Sequence, residues 1–102
     1  MIKEYELECC FDSRKSFYGK AVIKLYEDDR VIKKELLSYG TLVAQIVYYR
    51  EKKKIVYEYF GKYSQTTSRH QREFFRQECL NENKLKELFK SGRLEEDFYY
   101  YR

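Results

Sequence analysis

Strict alternation over the first sixty residues is the feature that most limits the fold. Tyr5, Leu7, Cys9 and Phe11 fall on one side of an extended chain, and Glu4, Glu6, Glu8 and Cys10 on the other. Period two in apolar residues is the mark of a strand with one buried face. The pattern returns over Phe17–Tyr26, where Ala21, Ile23 and Leu25 alternate with Lys20, Val22 and Lys24. It returns again over Val31–Leu37, Thr41–Arg50 and Ile55–Phe60. Polar or charged segments at Asp12–Lys15, Glu27–Arg30 and Glu51–Lys54 read as turns, and Tyr39-Gly40 reads as a bulge or kink. Short connections between such strands predict an antiparallel meander.

The period changes after Gly61. Ser64, Thr66, Thr67 and Ser68 each carry a hydroxyl able to cap a helix. A helix is expected from there to about Leu80, with His70, Phe74, Phe75, Glu78 and Cys79 near one side. Asn81-Glu82-Asn83 breaks it, and a short helix follows over Lys84–Lys90, with Leu85, Leu88 and Phe89 at helical spacing. Gly92 suits the position after its end. The tail from Leu94 to Arg102 admits either a last helical turn or an edge strand. The expected fold class is α+β: an antiparallel sheet of four or five strands, followed by two C-terminal helices packed on one face. At 102 residues a single domain spanning 1–102 is the natural count.

Composition argues for binding over catalysis. A domain this small has little core to spare for a deep, enclosed active site. The sequence has no GxxxxGK[ST], GxGxxG or GxSxG run. One histidine and three scattered cysteines form no metal pattern, so no metal and no cofactor is expected. Cys79 and His70 are nine residues apart, roughly 13 Å along a continuous helix, too far to pair. His70 could meet a hydroxyl of Thr66 or Thr67, but the stronger reading has it packed on Phe74 and hydrogen-bonded near the helix start. The chain has 12 Tyr, more than a core of this size needs, so several are expected at the surface, where tyrosine favours binding. The N-terminal MIKEYELE lacks the apolar core of a signal peptide. No apolar run approaches the roughly 20 residues that span a bilayer. A cytoplasmic protein without membrane contact is expected.

The net charge of +4 is unevenly spread. Arg50 to Arg76 holds eight basic and three acidic residues. Lys52, Lys53 and Lys54 occupy a hairpin turn, Lys62 precedes the helix, and Arg69, Arg72 and Arg76 form one helical stripe, which Glu73 and Glu78 dilute. The hydroxyl-rich helix entry adds free N–H groups that suit an anion. DNA or RNA is one partner for such a surface. Solvent alone, or an acidic protein, accounts for it equally well.

Two stretches, Ser38-Tyr39-Gly40-Thr41-Leu42-Val43-Ala44 and Tyr63-Ser64-Gln65-Thr66-Thr67-Ser68-Arg69-His70, resemble a family of small proteins from phages, prophages and plasmids of Gram-positive bacteria. That family pairs a SYxTxVA strand with a YSxTTSRH helix entry. The matching positions are Ser38, Tyr39, Thr41, Val43, Ala44, Tyr63, Ser64, Thr66, Thr67, Ser68, Arg69 and His70. The resemblance covers about a third of the chain. The basic turn between the motifs and the tyrosine-rich tail depart from it. It implies a mobile-element origin and, by analogy, action against host defences.

The function expected is therefore a non-enzymatic binder that inhibits a host defence nuclease, of the anti-CRISPR type. Its partner would be a host protein or ribonucleoprotein complex such as a CRISPR effector. The candidate contact residues are Lys52, Lys53, Lys54, Lys62, Tyr63, Ser64, Thr66, Thr67, Arg69, His70, Arg72 and Arg76. The competing readings are a nucleic-acid-binding accessory protein using the same basic residues, and a small nuclease centred on His70. Exposed strand edges and tyrosines are also compatible with a homodimer.

Overall fold

The computed structural model describes residues 2–12, 16–61, 64–78 and 80–97. Its strands are β1 (Ile2–Glu6), β2 (Ala21–Glu27), β3 (Val31–Ser38), β4 (Thr41–Tyr49), β5 (Lys54–Tyr59) and β6 (Arg93–Asp97). They lie side by side in chain order in one antiparallel sheet. The helices α1 (Gln65–Arg76) and α2 (Glu82–Ser91) fall between β5 and β6. The α+β class and the single helical layer match expectation. The sheet has six strands where four or five were expected, because the chain returns after α2 to pair Leu94 with Tyr57. The tail thus starts as an edge strand, and residues 98–102 lie outside the described residues.

Apolar residues of the meander and both helices form one core. Ile23, Leu36, Ala44, Ile46 and Tyr57 meet Phe74, Phe75, Leu85 and Leu88 on the helical face of the sheet. Among the described residues, no helix is long and apolar enough to cross a membrane.

The second strand begins at Ala21 and not at Phe17, because residues 17–20 close a turn, and three further local expectations need correction. The first strand stops at Glu6, and the chain then leaves the sheet, so Phe11 is exposed. The reason is Glu73, whose carboxylate accepts the backbone N–H groups of Cys10, Phe11 and Asp12 at 2.8–3.2 Å. Donors satisfied by a helix side chain are lost to a strand ladder. Secondly, Tyr39-Gly40 is no bulge but the two-residue turn joining β3 to β4, with Ser38 paired to Thr41. The bulge sits nearby, where Leu36 pairs with Ala44 and Leu37 with Leu42, leaving Val43 as the extra residue. Thirdly, α1 ends at Arg76, short of Leu80. Cys79 lies outside the described residues.

The helix boundaries follow from caps. Ser64 caps α1 through Thr67 N–H at 3.2 Å, and Asn81 caps α2 through Lys84 N–H at 2.9 Å. Gly92 ends α2 in the left-handed conformation, as its position predicts. The β2–β3 turn is held by Asp28, whose carboxylate accepts from Arg30 N–H at 2.8 Å and Val31 N–H at 2.9 Å.

Candidate binding site

The two helices dock differently. The buried face of α2 is supplied by Leu85 and Leu88. The buried face of α1 contains Thr67, His70, Gln71 and Glu73 beside Phe74 and Phe75. A buried polar group is costly unless it is hydrogen-bonded. Here the bonds specify position. Ser38 Oγ lies 2.9 Å from Thr67 Oγ1 and 2.8 Å from His70 Nδ1. Gln71 Nε2 donates to the carbonyl of Val43, the bulge residue, at 3.0 Å. Glu73 takes the three N–H groups of the segment after β1 and also accepts from Gln77 Nε2 at 2.6 Å. These bonds set the height and rotation of α1 over β3 and β4.

The Ser38 network also joins the two sequence motifs. One motif contributes Ser38 and Tyr39, the other Thr67 and His70. His70 packs edge-on against Phe17 with ring centroids 4.5 Å apart, and Tyr39 lies 5.9 Å away. The histidine is thus an interior residue near the helix start, as expected. Its packing partner is Phe17, from the segment before β2, and its hydroxyl partner is Ser38.

Above this network two tight turns stand side by side. Tyr18-Gly19 and Tyr39-Gly40 both have positive φ at each residue: 53° and 74° in the first, 52° and 81° in the second. The first closes through Lys20 N–H to the Phe17 carbonyl at 2.9 Å, and the turns are tied by Tyr39 N–H to the Lys20 carbonyl at 2.8 Å. Two-residue turns of this hand favour Asn-Gly or Asp-Gly, because both central residues need positive φ. A bulky residue there is a true outlier, costing about 1–2 kcal/mol. Both tyrosines are nevertheless exposed, Tyr18 at 74% and Tyr39 at 57%.

Between these turns and the start of α1 lies a cavity of about 180 Å³. Tyr18 and Tyr39 form two of its walls, Lys20 and Arg69 bring positive charge, and Ser16 and Thr66 bring hydroxyls. Phe17 and His70 form the rest of the lining. No carboxylate lines it among the described residues. Arg69 also lines an open cleft of about 400 Å³ with Phe11, Asp12, Arg72, Glu73 and Arg76. Asp12 sits 3.5 Å from Arg69, while Glu82 meets Arg72 at 3.5 Å and also bonds Arg76.

The structure therefore divides the residues picked out by sequence. Thr66, Arg69 and His70 meet at the cavity, and Arg72 and Arg76 continue from it along α1. Ser64 is the helix cap, and Thr67 is buried in the Ser38 network. Lys52, Lys53 and Lys54 lie at the β4–β5 hairpin, at the opposite end of the sheet from the β3–β4 turn. There Lys52 rests over the Tyr49 ring at 5.7 Å, and Lys54 pairs with Asp97 at 3.0 Å. They share no surface with the cavity. Lys62 and Tyr63 lie outside the described residues. Glu73 lines the arginine cleft as expected, whereas Glu78 is drawn away from the stripe. Glu73 is buried, and Glu78 pairs with Lys34 at 2.7 Å and bonds Tyr48. Sequence reasoning missed Tyr18, Lys20 and Phe11 as site residues. The one signal for the first was the repeated Tyr-Gly pair, each copy leading into a strand.

Residues 5–91 match the model of a family of unknown function, DUF8033, and the chain belongs to that family. No curated protein and no solved structure matches significantly. The matched span contains both Tyr-Gly turns, the whole of α1 and Glu73.

Proposed function

We propose that this chain is a non-enzymatic binding protein whose contact surface is the tyrosine end of the sheet, running from Tyr18 and Tyr39 onto the arginine face of α1. The observation that carries this reading is the pair of Tyr-Gly turns. Tyrosine is a costly choice at a left-handed turn position, and two such residues stand side by side here with exposed rings; strained residues that a fold retains cluster where a side chain is needed. Exposed tyrosine and arginine are the side chains that dominate binding hot spots. The resemblance to mobile-element proteins makes a host nuclease complex, such as a CRISPR effector, the partner class to test first.

The nuclease-like reading has less support. A catalytic histidine must reach the proton that it moves. His70 is 1% exposed, and its Nδ1 is engaged by Ser38. The decisive experiment is capture from a bacterial host lysate by the tagged protein and by a Tyr18→Asn/Tyr39→Asn variant, with and without nuclease treatment. The expected result is a specific partner held by the parent chain and lost by the variant, with both proteins folded by circular dichroism. Equal capture by both would remove the tyrosine end as the contact surface.

A further inference from the structure

We infer that the tyrosine end and the arginine face of α1 form one continuous track for single-stranded nucleic acid. This inference rests on the contact surface proposed above and adds the chemistry of its partner.

Single-strand binders combine aromatic faces on which bases stack with a basic groove that follows the backbone. Both parts are present here, in register. Tyr18 and Tyr39 provide two exposed rings at the mouth of the cavity, and Lys20 and Arg69 provide cations within it. Arg69 belongs to both the cavity and the neighbouring cleft, so the two spaces are joined through one side chain. In the cleft, Phe11 offers a third exposed ring beside Arg72 and Arg76. From Thr66 to Arg76 the helix covers about 15 Å. Aromatic and cationic groups therefore alternate along a path of several nucleotides.

The charge balance of this path differs from that of the sheet. Along the path four cations, Lys20, Arg69, Arg72 and Arg76, stand against three carboxylates, Asp12, Glu73 and Glu82; Asp12 pairs with Arg69 and Glu82 with Arg72 and Arg76, while the cavity stretch with Lys20 has no lining carboxylate among the described residues. Glu73 is held by backbone donors and Gln77, which fix its position within the cleft. On the open face of the sheet, by contrast, Lys24 pairs across with Glu35, Gln45 with Glu58, and Glu58 with Arg93. Alternating signs in that row leave no basic path. A duplex is a poorer match for the track than a single strand, because paired bases cannot present their faces to isolated rings.

Fluorescence anisotropy tests this directly, with labelled DNA and RNA single strands of about 12 nucleotides, within the span that such binders cover. The same sequences as duplexes are the comparison. The expected result is salt-sensitive binding of the single strands in preference to duplex. Tyr18→Ala should weaken it about tenfold, the loss of one stacked base. Arg69→Gln and Arg72→Gln should each reduce the salt dependence, by about 0.7 in the logarithmic slope. Tyr39 packs on His70, so the exposed Tyr18 and Lys20→Gln serve as the variants that leave the fold untouched. Absence of single-strand binding overturns the inference. So does preference for duplex, or wild-type affinity in the Tyr18→Ala and Lys20→Gln proteins. If single strands fail to bind while the lysate partner is still lost on Tyr18→Asn/Tyr39→Asn substitution, the nucleic-acid inference falls and the binding surface stands.

Discussion

The two ends of the sheet have reversed roles relative to their sequences. The β4–β5 end carries Lys52-Lys53-Lys54, the densest basic run in the chain, and looks the more functional of the two. In the structure it is a hairpin whose turn residue Lys53 also has positive φ, 52°, with Lys54 tied to Asp97 and Lys52 laid over Tyr49. The other end carries two Tyr-Gly pairs with nothing conspicuous around them. In the structure they become twin strained turns that hold exposed rings over a cationic cavity. A positive-φ residue occurs at both ends, so what sets the tyrosine end apart is two such turns side by side, with exposed rings beside a cavity that no described carboxylate lines.

The largest expected effect tests what supports the tyrosine end. Glu73→Ala leaves three backbone N–H groups of the segment after β1 without an acceptor. Unsatisfied buried donors cost about 1–3 kcal/mol each, less where water reaches them, so a loss of about 3 kcal/mol is expected. Chemical denaturation measures it. A loss below about 1 kcal/mol would show that the segment docks without this carboxylate.

A smaller effect of opposite sign tests the strain itself. Tyr18→Asn replaces an outlier with a residue suited to positive φ, and should raise stability by about 1 kcal/mol while weakening binding. Stability gained together with binding lost separates a functional tyrosine from a structural one. A Tyr18→Asn protein that is less stable would mean that the ring packs productively.

At the hairpin end, Lys52→Glu with Lys53→Glu should leave single-strand affinity within about twofold after correction for net charge, since neither residue touches the track. An effect as large as that of Arg69→Gln would merge the two ends into one surface.

The smallest effect concerns Lys54. Hydrogen bonding to Asp97 holds its ammonium above the ordinary value of 10.5, so the folded state binds the proton more tightly than the unfolded state. The pair therefore supports the fold below that value, and the support is lost as the pH rises through and beyond it. Thermal melts of the parent and of Lys54→Gln should converge as the pH is raised through this range. A difference that persists at the alkaline limit would show that packing, and not charge, ties β5 to β6.

Much of the fold was legible. Alternation located the third to fifth strands to within one residue, because period two survives wherever one face is buried, but it ran the first strand five residues too far and began the second four residues early. Ser64, Asn81 and Gly92 marked helix ends through local backbone chemistry. The site was less legible. Tyr39-Gly40 reads as a bulge or kink because tyrosine at the first turn position hides the Asn-Gly signal, and strand-like residues continue on both sides. Glu73 reads as a charge on the helix stripe, since nothing near it in sequence shows that three distant N–H groups need it. The sixth strand stayed open because a short charged edge strand has little apolar pattern to display.

Sequence alone determined what local chemistry controls: which segments extend, which coil, where the caps fall and that basic side chains gather along one stripe of α1. Tertiary structure alone decided which of these features meet. Tyr18 and Tyr39 become neighbours only because β2 and β3 pair in one register, Ala21 against Ser38. Arg69 joins them only because Ser38, Thr67 and His70 fix the rotation of α1 above that register. Register and helix rotation are set by packing across the whole core, so no window of the sequence contains them.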